Sequence, residues 1–335
     1  RLVETYLARI EALNRRGPGL RAVIAVAPDA LAQADAADAA RAAGAPQGPL
    51  AGIPVLLKDN LDTADLPTTA GAKAMLGPPP PADATITARL RAAGAVILGK
   101  ANMSEWATSI SPRAGLSFSD VGGRLRNPYD GGDTSGSSNG SAIAAAASLA
   151  ALTIGTETQG SIVLPSFINS AVGIKPTMGL VSRGGVIPLV PAFDQPGPIA
   201  RSVTDAALLL SLITGVDPRD PATRAQRGHV PAGGYERFLR RGALRGARIG
   251  VPPALARDPM GRVVGQRRIV SALRRLGATI VPIRGRLWVG TAPLEAIHGQ
   301  FKRAVNRYLR ERGPTSPRRS LADVVAYNRR HGREA

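Results

Sequence analysis

The sequence predicts an α/β fold: a twisted, mixed β-sheet sandwiched between layers of α-helices, as a single domain over residues 1–335. Three observations lead there. Helical-period segments alternate with short apolar runs, as where a helix over 83–93 is followed by the run Ala95–Leu98. The tail repeats the pattern as strand 247–251, helix 263–276 and strand 278–283, the order of a βαβ unit. Two Ser/Gly-rich turns bracket one Ala-rich helix, Ala142–Ala151, and an apolar run between such turns argues for a packed layer rather than a linker.

Taken in order, residues 1–16 read as an amphipathic helix with Leu2, Val3, Tyr6, Leu7, Ile10 and Leu13 on one face, closed by Gly17-Pro18. Pro28-Asp29 opens a second, Ala-rich helix that stops near Gly44. Leu50–Leu57 is a short buried strand running into Lys58-Asp59-Asn60. Asp83 caps a helix that Gly94 ends, Asn102–Thr108 is helical, and 109–135 is a long ordered loop of the kind usually kept for function. Val172–Thr177 and Val186–Leu189 are strand-like, Phe193–Pro198 is a rigid turn, and Ser202–Thr214 is a capped helix. Further helices are expected near 292–311 and 320–330.

Composition narrows the class. Hydrophobic residues make up 44% of the 335, enough for a core, and no apolar run reaches the about 18 residues of a membrane span. No cysteine and three scattered histidines leave little for a metal, and no metal or cofactor is expected. The net charge of +19 is consistent with a polyanion surface. Arginine far outnumbers lysine, with Ala, Gly and Pro abundant, and much of the excess follows Arg219; this reads as solvated faces. The chain opens inside a helix without an initiator Met, so it is expected to be truncated at both ends, and compartment stays undetermined.

The chemistry centres on Asp133–Ser141 and Leu152–Ser161. Glycine leaves backbone N–H groups uncovered, and serine supplies a hydroxyl that can attack or relay a proton. Serine needs a base. A lysine at the end of a buried strand serves, because desolvation disfavours the ammonium. The N–H groups of Thr158, Gln159, Gly160 and Ser161 can turn together into an oxyanion hole. Lys58, Ser137 and Ser161 thus suggest acyl transfer, although spacing alone does not single out these three.

The motifs Gly52–Asn60 (GIPVLLKDN), Gly136–Ala142 (GSSNGSA) and Gly155–Ile162 (GTETQGSI) closely resemble the amidase signature family. The likeness extends through Gly94–Trp106, Asn127–Tyr129, Gly173–Leu180 and Pro196–Ala207, over about residues 1–330. It implies the amidase signature fold, C-terminally incomplete, and a Ser–cis-Ser–Lys triad. Lys58 would be the base, Ser137 the relay after a cis bond to Gly136, and Ser161 the nucleophile, with the oxyanion hole at Thr158, Gln159 and Gly160. The implied partner is a small-molecule or peptide amide, with no nucleic acid and no membrane. Asn102–Trp106, the GTET variant and Phe193–Pro198 look most like the peptide amidase branch, which hydrolyses C-terminal carboxamides. Three positions depart from the pattern: Val163 where many relatives have Arg, Gln159 for Gly or Asp, and Asn139 for Gly or Ser. The first argues against small dicarboxylic half-amides.

Three rival readings stand beside this one. Gly136–Gly140 is formally Gly-x-Ser-x-Gly, which would make Ser138 a nucleophile, but that elbow needs a strand before it and Asp130–Ser135 reads as loop. The amidase subunit of a tRNA-dependent amidotransferase would use a similar triad to release ammonia from glutamine. A basic nucleic-acid-binding protein lacks a supporting motif, and 4% aromatic residues are few for base stacking.

Overall fold

The structure is a computed structural model that describes residues 1–109, 115–251, 264–283 and 294–332. Positions 110–114 of the long loop, residue 263 and residues 292–293 of the expected helices lie outside them. The described chain divides into two compact units, 1–234 with 293–335, and Tyr235–Ala292.

The larger unit is built on a six-stranded mixed sheet in the order β1-β3-β2-β6-β8-β7. Its strands are β1 (Val23–Val26), β2 (Pro54–Lys58), β3 (Val96–Ala101), β6 (Leu152–Glu157), β7 (Val172–Gly173) and β8 (Gln195–Ala200). Strand β2 runs parallel to both β3 and β6, whereas β1 and β8 are antiparallel to their neighbours. Every residue of β2, β3, β6 and β8 is buried; β2 and β3 are near-continuous apolar runs up to Lys58 and Lys100, whereas β6 also buries Thr153, Thr156 and Glu157. A two-residue hairpin, β4 (Phe118–Ser119) with β5 (Gly123–Arg124), interrupts the long loop.

Helices α1 (Leu2–Arg9), α2 (Ala30–Ala42), α3 (Thr85–Ala92), α5 (Val163–Ile168) and α6 (Val203–Ile213) surround the sheet. Helix α1 continues as a π-helical turn over Ile10–Arg15, and Val3 and Ile10 join Leu20, Leu56, Leu98 and Ile143 in one core cluster. Ser202 caps α6 by accepting from the Asp205 N–H. Helix α4 (Asn139–Ala146) is buried from Asn139 to Ala145. It can lie that deep because its side chains are small: a Cβ on Gly140 would sit 2.1 Å from the Asn102 carbonyl oxygen. Helices α8 (Leu294–Glu311) and α9 (Leu321–Arg330) close this unit, placing Phe301, Val305, Tyr308 and Val324 against Met75, Met103 and Trp106. Ser320 and Asp323 form a reciprocal capping box on α9. In the smaller unit, β9 (Arg248–Val251), α7 (Val264–Arg275) and β10 (Thr279–Pro282) form the expected βαβ, with the two strands parallel. No helix among the described residues is long and apolar enough to cross a membrane.

Four local expectations need correction. Phe193–Pro198 is not a turn throughout: residues from Gln195 form strand β8. Proline is tolerated there because of parity. The Pro198 carbonyl accepts from the Ile174 N–H on the outer side, so the missing donors of Pro196 and Pro198 point away from β6. Asn102–Thr108 is not a regular helix. The Asn102 Oδ1 takes the Met103 N–H, and Trp106 and Ala107 turn left-handed at φ +47° and +52°, leaving only a 3₁₀ turn over Glu105–Thr108. Asp83 does not cap α3; it accepts from the Ala64 N–H and pairs with Arg91. Val186 makes an isolated bridge to Leu61 rather than a strand. Strand β1 has no counterpart in the sequence reading.

Candidate active site

Lys58 is the last residue of β2 and is fully buried. The β2–β6 ladder ends at Leu57 opposite Ile154, so β6 runs on past it and leaves the Thr156 carbonyl beyond the paired region. The Lys58 Nζ lies 3.1 Å from that carbonyl oxygen, 2.8 Å from Ser137 Oγ and 2.9 Å from Ser138 Oγ. Burial lowers its pKa to about 7, against the opposing pull of the Asp194 and Glu157 carboxylates. At neutral pH a substantial fraction of the amine is therefore uncharged.

The amine's own donors and lone pair orient the cluster. An uncharged amine has two N–H donors and one lone pair. The Thr156 carbonyl can only accept. Ser138 donates its hydroxyl proton to that same carbonyl at 2.9 Å and also accepts from the Thr156 N–H at 3.1 Å, so towards Lys58 it is an acceptor. Both amine protons are thereby used, and the lone pair faces the Ser137 hydroxyl. Gly155 makes room for this arrangement, since a Cβ there would come within 2.9 Å of the Ser138 side chain.

The Gly136–Ser137 peptide is cis, and the Ser137 carbonyl accepts from the Ser104 N–H. Next to it, the Ser138 N–H donates to the Ser161 carbonyl at 3.1 Å, tying the two Ser/Gly-rich turns together. Lys58 and Ser137 are thus brought into direct contact, and Ser161 is joined to them through its backbone. The half-buried Ser161 hydroxyl makes no hydrogen bond to Ser137 or to any other described residue.

The loop before Ser161 is held from both sides. The Glu157 carboxylate accepts the N–H groups of Ile162 and Val163, at 2.7 and 3.0 Å. Asp194 accepts from the Thr158 hydroxyl and from the N–H groups of Leu189 and Val190, so it braces a turn. Gly160 takes φ +79°. The N–H groups of Thr158, Gln159, Gly160 and Ser161 donate to no described residue, whereas those of the next two residues are consumed by Glu157. Gln159 is exposed.

A narrow cavity of ≈ 30 Å³ reaches Ser137 and Thr156. Its wall is largely apolar, from Met103, Trp106, Ile187, Leu189 and Phe301, with Asn60, Thr158 and Asp194 supplying polar atoms. It shares Arg183, Val186, Pro188 and Asp194 with a wider cleft of ≈ 650 Å³. Arg183 is already paired, gripping Asp220 through two nitrogens at 2.5 and 2.8 Å. Trp106 meets Phe301 edge-on at 6.1 Å, so it is both core and cavity wall. Lys100 is buried and braces backbone, donating to the Leu61 carbonyl and to Thr68 beside Asp59; Lys175 is exposed.

Sequence reasoning missed Asn60, Thr156 and the role of Ser138. Asn60 donates to the Thr156 hydroxyl, while its Oδ1 is buried without a hydrogen-bond partner among the described residues. Asn139, noted in the sequence only as a departure from the family pattern, and Asn169 use their amides to stitch Leu116, Thr134, Ser135 and Pro165 around the serine turn.

Ser138→Ala is expected to cut turnover about 10- to 100-fold, the cost of leaving buried donors unmatched. It should also shift the acid limb of the pH profile downwards, because an ammonium loses one of its three acceptors. Ser161 should still react with a serine-directed fluorophosphonate. Loss of that labelling would instead restore Ser138 as the nucleophile.

Comparison with known proteins agrees with this architecture. A sequence profile of the family described as Amidase matches residues 1–289. The chain is 45% identical to a probable amidase of Arabidopsis thaliana over 98% of its own length and 64% of the relative's. It is 42% identical to a subunit of the glutamyl-tRNA(Gln) amidotransferase of Nocardia farcinica over 84% of this chain and 57% of that one. The native peptide amidase of Stenotrophomonas maltophilia superposes with a TM-score of 0.89 at 44% identity, covering 99% of this chain and 68% of that one. The chain thus spans less than two thirds of the length of these curated relatives. With the profile match over most of its length and these identities, the chain belongs to the amidase family.

Proposed function

We propose that this chain hydrolyses carboxamides to a carboxylic acid and ammonia or an amine, through an acyl-enzyme on Ser161. The observation that carries the reading is the buried Lys58 amine, its pKa lowered by burial to about 7, standing 2.8 Å from the Ser137 hydroxyl. Ser161 gives its proton to Ser137 Oγ as Ser137 passes its own to Lys58 Nζ, and the Ser161 oxygen bonds to the amide carbon. The carbonyl oxygen becomes an oxyanion held by the N–H groups of Thr158, Gln159 and Gly160. The C–N bond then breaks, Lys58 returns its proton through Ser137 to the departing nitrogen, and water repeats the sequence to free the acid.

The apolar wall favours an uncharged group beside the scissile bond, and the wider cleft falls in the size range of small-ligand sites, suiting the remainder of a peptide. The buried Asn60 Oδ1 offers an acceptor for an amide N–H. A terminal peptide carboxamide meets these requirements. Glutamine, as in the amidotransferase subunit that this chain resembles, would bring a charged ammonium and carboxylate to a wall whose arginine is already occupied.

A fluorophosphonate should add one label, mapped to the peptide bearing Ser161, and block ammonia release from an N-acylated dipeptide amide. Hydrolysis of free glutamine in preference to the dipeptide amide would favour the amidotransferase reading. A label on any other serine would remove the assigned nucleophile.

A further inference from the structure

We propose that the cleft between the 17–21 loop and residues 121–126 is a binding site for a compact phosphate-class polyanion. It shares no lining residue with the two cavities at the serine cluster. Its volume is ≈ 470 Å³, room for a phosphate-bearing small molecule.

The charge is one-sided. Arg21, Arg124 and Arg126 line the cleft, and among the described residues no carboxylate does. None of the three has an ion pair or a side-chain hydrogen bond among the described residues, in contrast to Arg91 and Arg183, which are matched by aspartates. Asp120 precedes the segment in sequence but does not line the cleft. Guanidinium groups gathered without a counter-charge repel one another, and a multivalent anion relieves that repulsion. Their planar forks match phosphate oxygens better than the point charge of a lysine does.

The backbone that carries them is held in place. Arg124 and Arg126 are exposed on either side of Leu125, which is buried at 1% exposure, so the two-residue period sends both outward on one face. The Arg126 N–H donates to the Leu20 carbonyl, setting that face beside Arg21, whose own carbonyl is held by the Asn102 amide. Leu20 and Ala22 beside Arg21 are buried. Glycines line the cleft beside the arginines, and a Cβ on Gly19 or Gly123 would meet no described atom within 4 Å.

The test is calorimetric titration of the chain with sodium pyrophosphate at constant ionic strength, because screening alone changes such affinities. Saturable binding to one site is expected. Arg124→Gln with Arg126→Gln should weaken it about tenfold or more, the loss of charge-assisted hydrogen bonds. Arg124→Lys with Arg126→Lys keeps the charge but not the fork, and should fall in between. Arg224→Gln with Arg227→Gln removes equal charge from exposed positions outside the cleft and should bind as the parent does. Inorganic phosphate competing for the same site would indicate recognition of the phosphate group itself. Three results would overturn the site: no saturable heat, equal weakening in the two Gln pairs, or an oligonucleotide that binds without competition from pyrophosphate.

Discussion

Ser161→Ala is expected to lower the turnover of a peptide carboxamide by at least about 10³-fold, the scale at which removing an activated nucleophile leaves only binding and oxyanion stabilisation behind. The fold should survive. The hydroxyl makes no hydrogen bond to a described residue, and the groups that hold the loop are Glu157, Asp194 and the Ser161 carbonyl, all retained in the variant. The comparison therefore separates chemistry from stability: melting temperature should stay within the range of ordinary surface substitutions while the rate collapses. Burst labelling by a fluorophosphonate should vanish as well. Wild-type turnover in Ser161→Ala would end the acyl-enzyme scheme.

Lys58→Met is the second large effect, with a loss of about 10²- to 10⁴-fold expected from removal of a general base. Methionine fills nearly the same volume, so a drop in rate is not a consequence of an empty core. In the parent the base must be uncharged. Since burial holds its pKa at about 7, kcat/KM should rise tenfold per pH unit below that value and level off above it. The ascending limb should be missing from the residual activity of Lys58→Met. The same depressed value links to stability. Between about pH 7 and the usual lysine value of 10.5 the unfolded chain binds this proton and the folded chain does not, so stability from this group rises with pH across that window. A profile in which the parent loses activity on passing from pH 6 to pH 8 would contradict the assignment of the base.

The layout was legible where one signal dominates. Helices α2, α6 and α9 carry their own caps or breakers, and the βαβ of the smaller unit follows from strict alternation. Reading failed where tertiary partners outvote local preference. Pro196 and Pro198 forbid a strand by propensity, yet their parity turns the defect outward. Asn102 looks like the start of a helix until its amide reaches Arg21 and its oxygen accepts from Ser119. The site shows the same division. Lys58, Ser137 and Ser161 are proposed together on likeness to a family, because nothing in their spacing says that two turns and a strand end meet. Ser138 was visible only as a rival nucleophile; its service to the lysine depends on a carbonyl from β6 that no pattern could locate. The arginine cleft was likewise hidden, since it joins residue 21 to residues 124 and 126 across about a hundred positions of chain.

Strand β6 overruns its partner, and one of the two acceptors for the lysine protons is consequently main chain. An evolving lineage inherits that acceptor with the sheet itself and cannot lose it by changing the side chain at 156. The hydroxyl at 138 has no such protection. Drift among relatives that keep the amine should therefore be freer at the first position than at the second, and a lineage that has given up position 138 should also have abandoned the lysine.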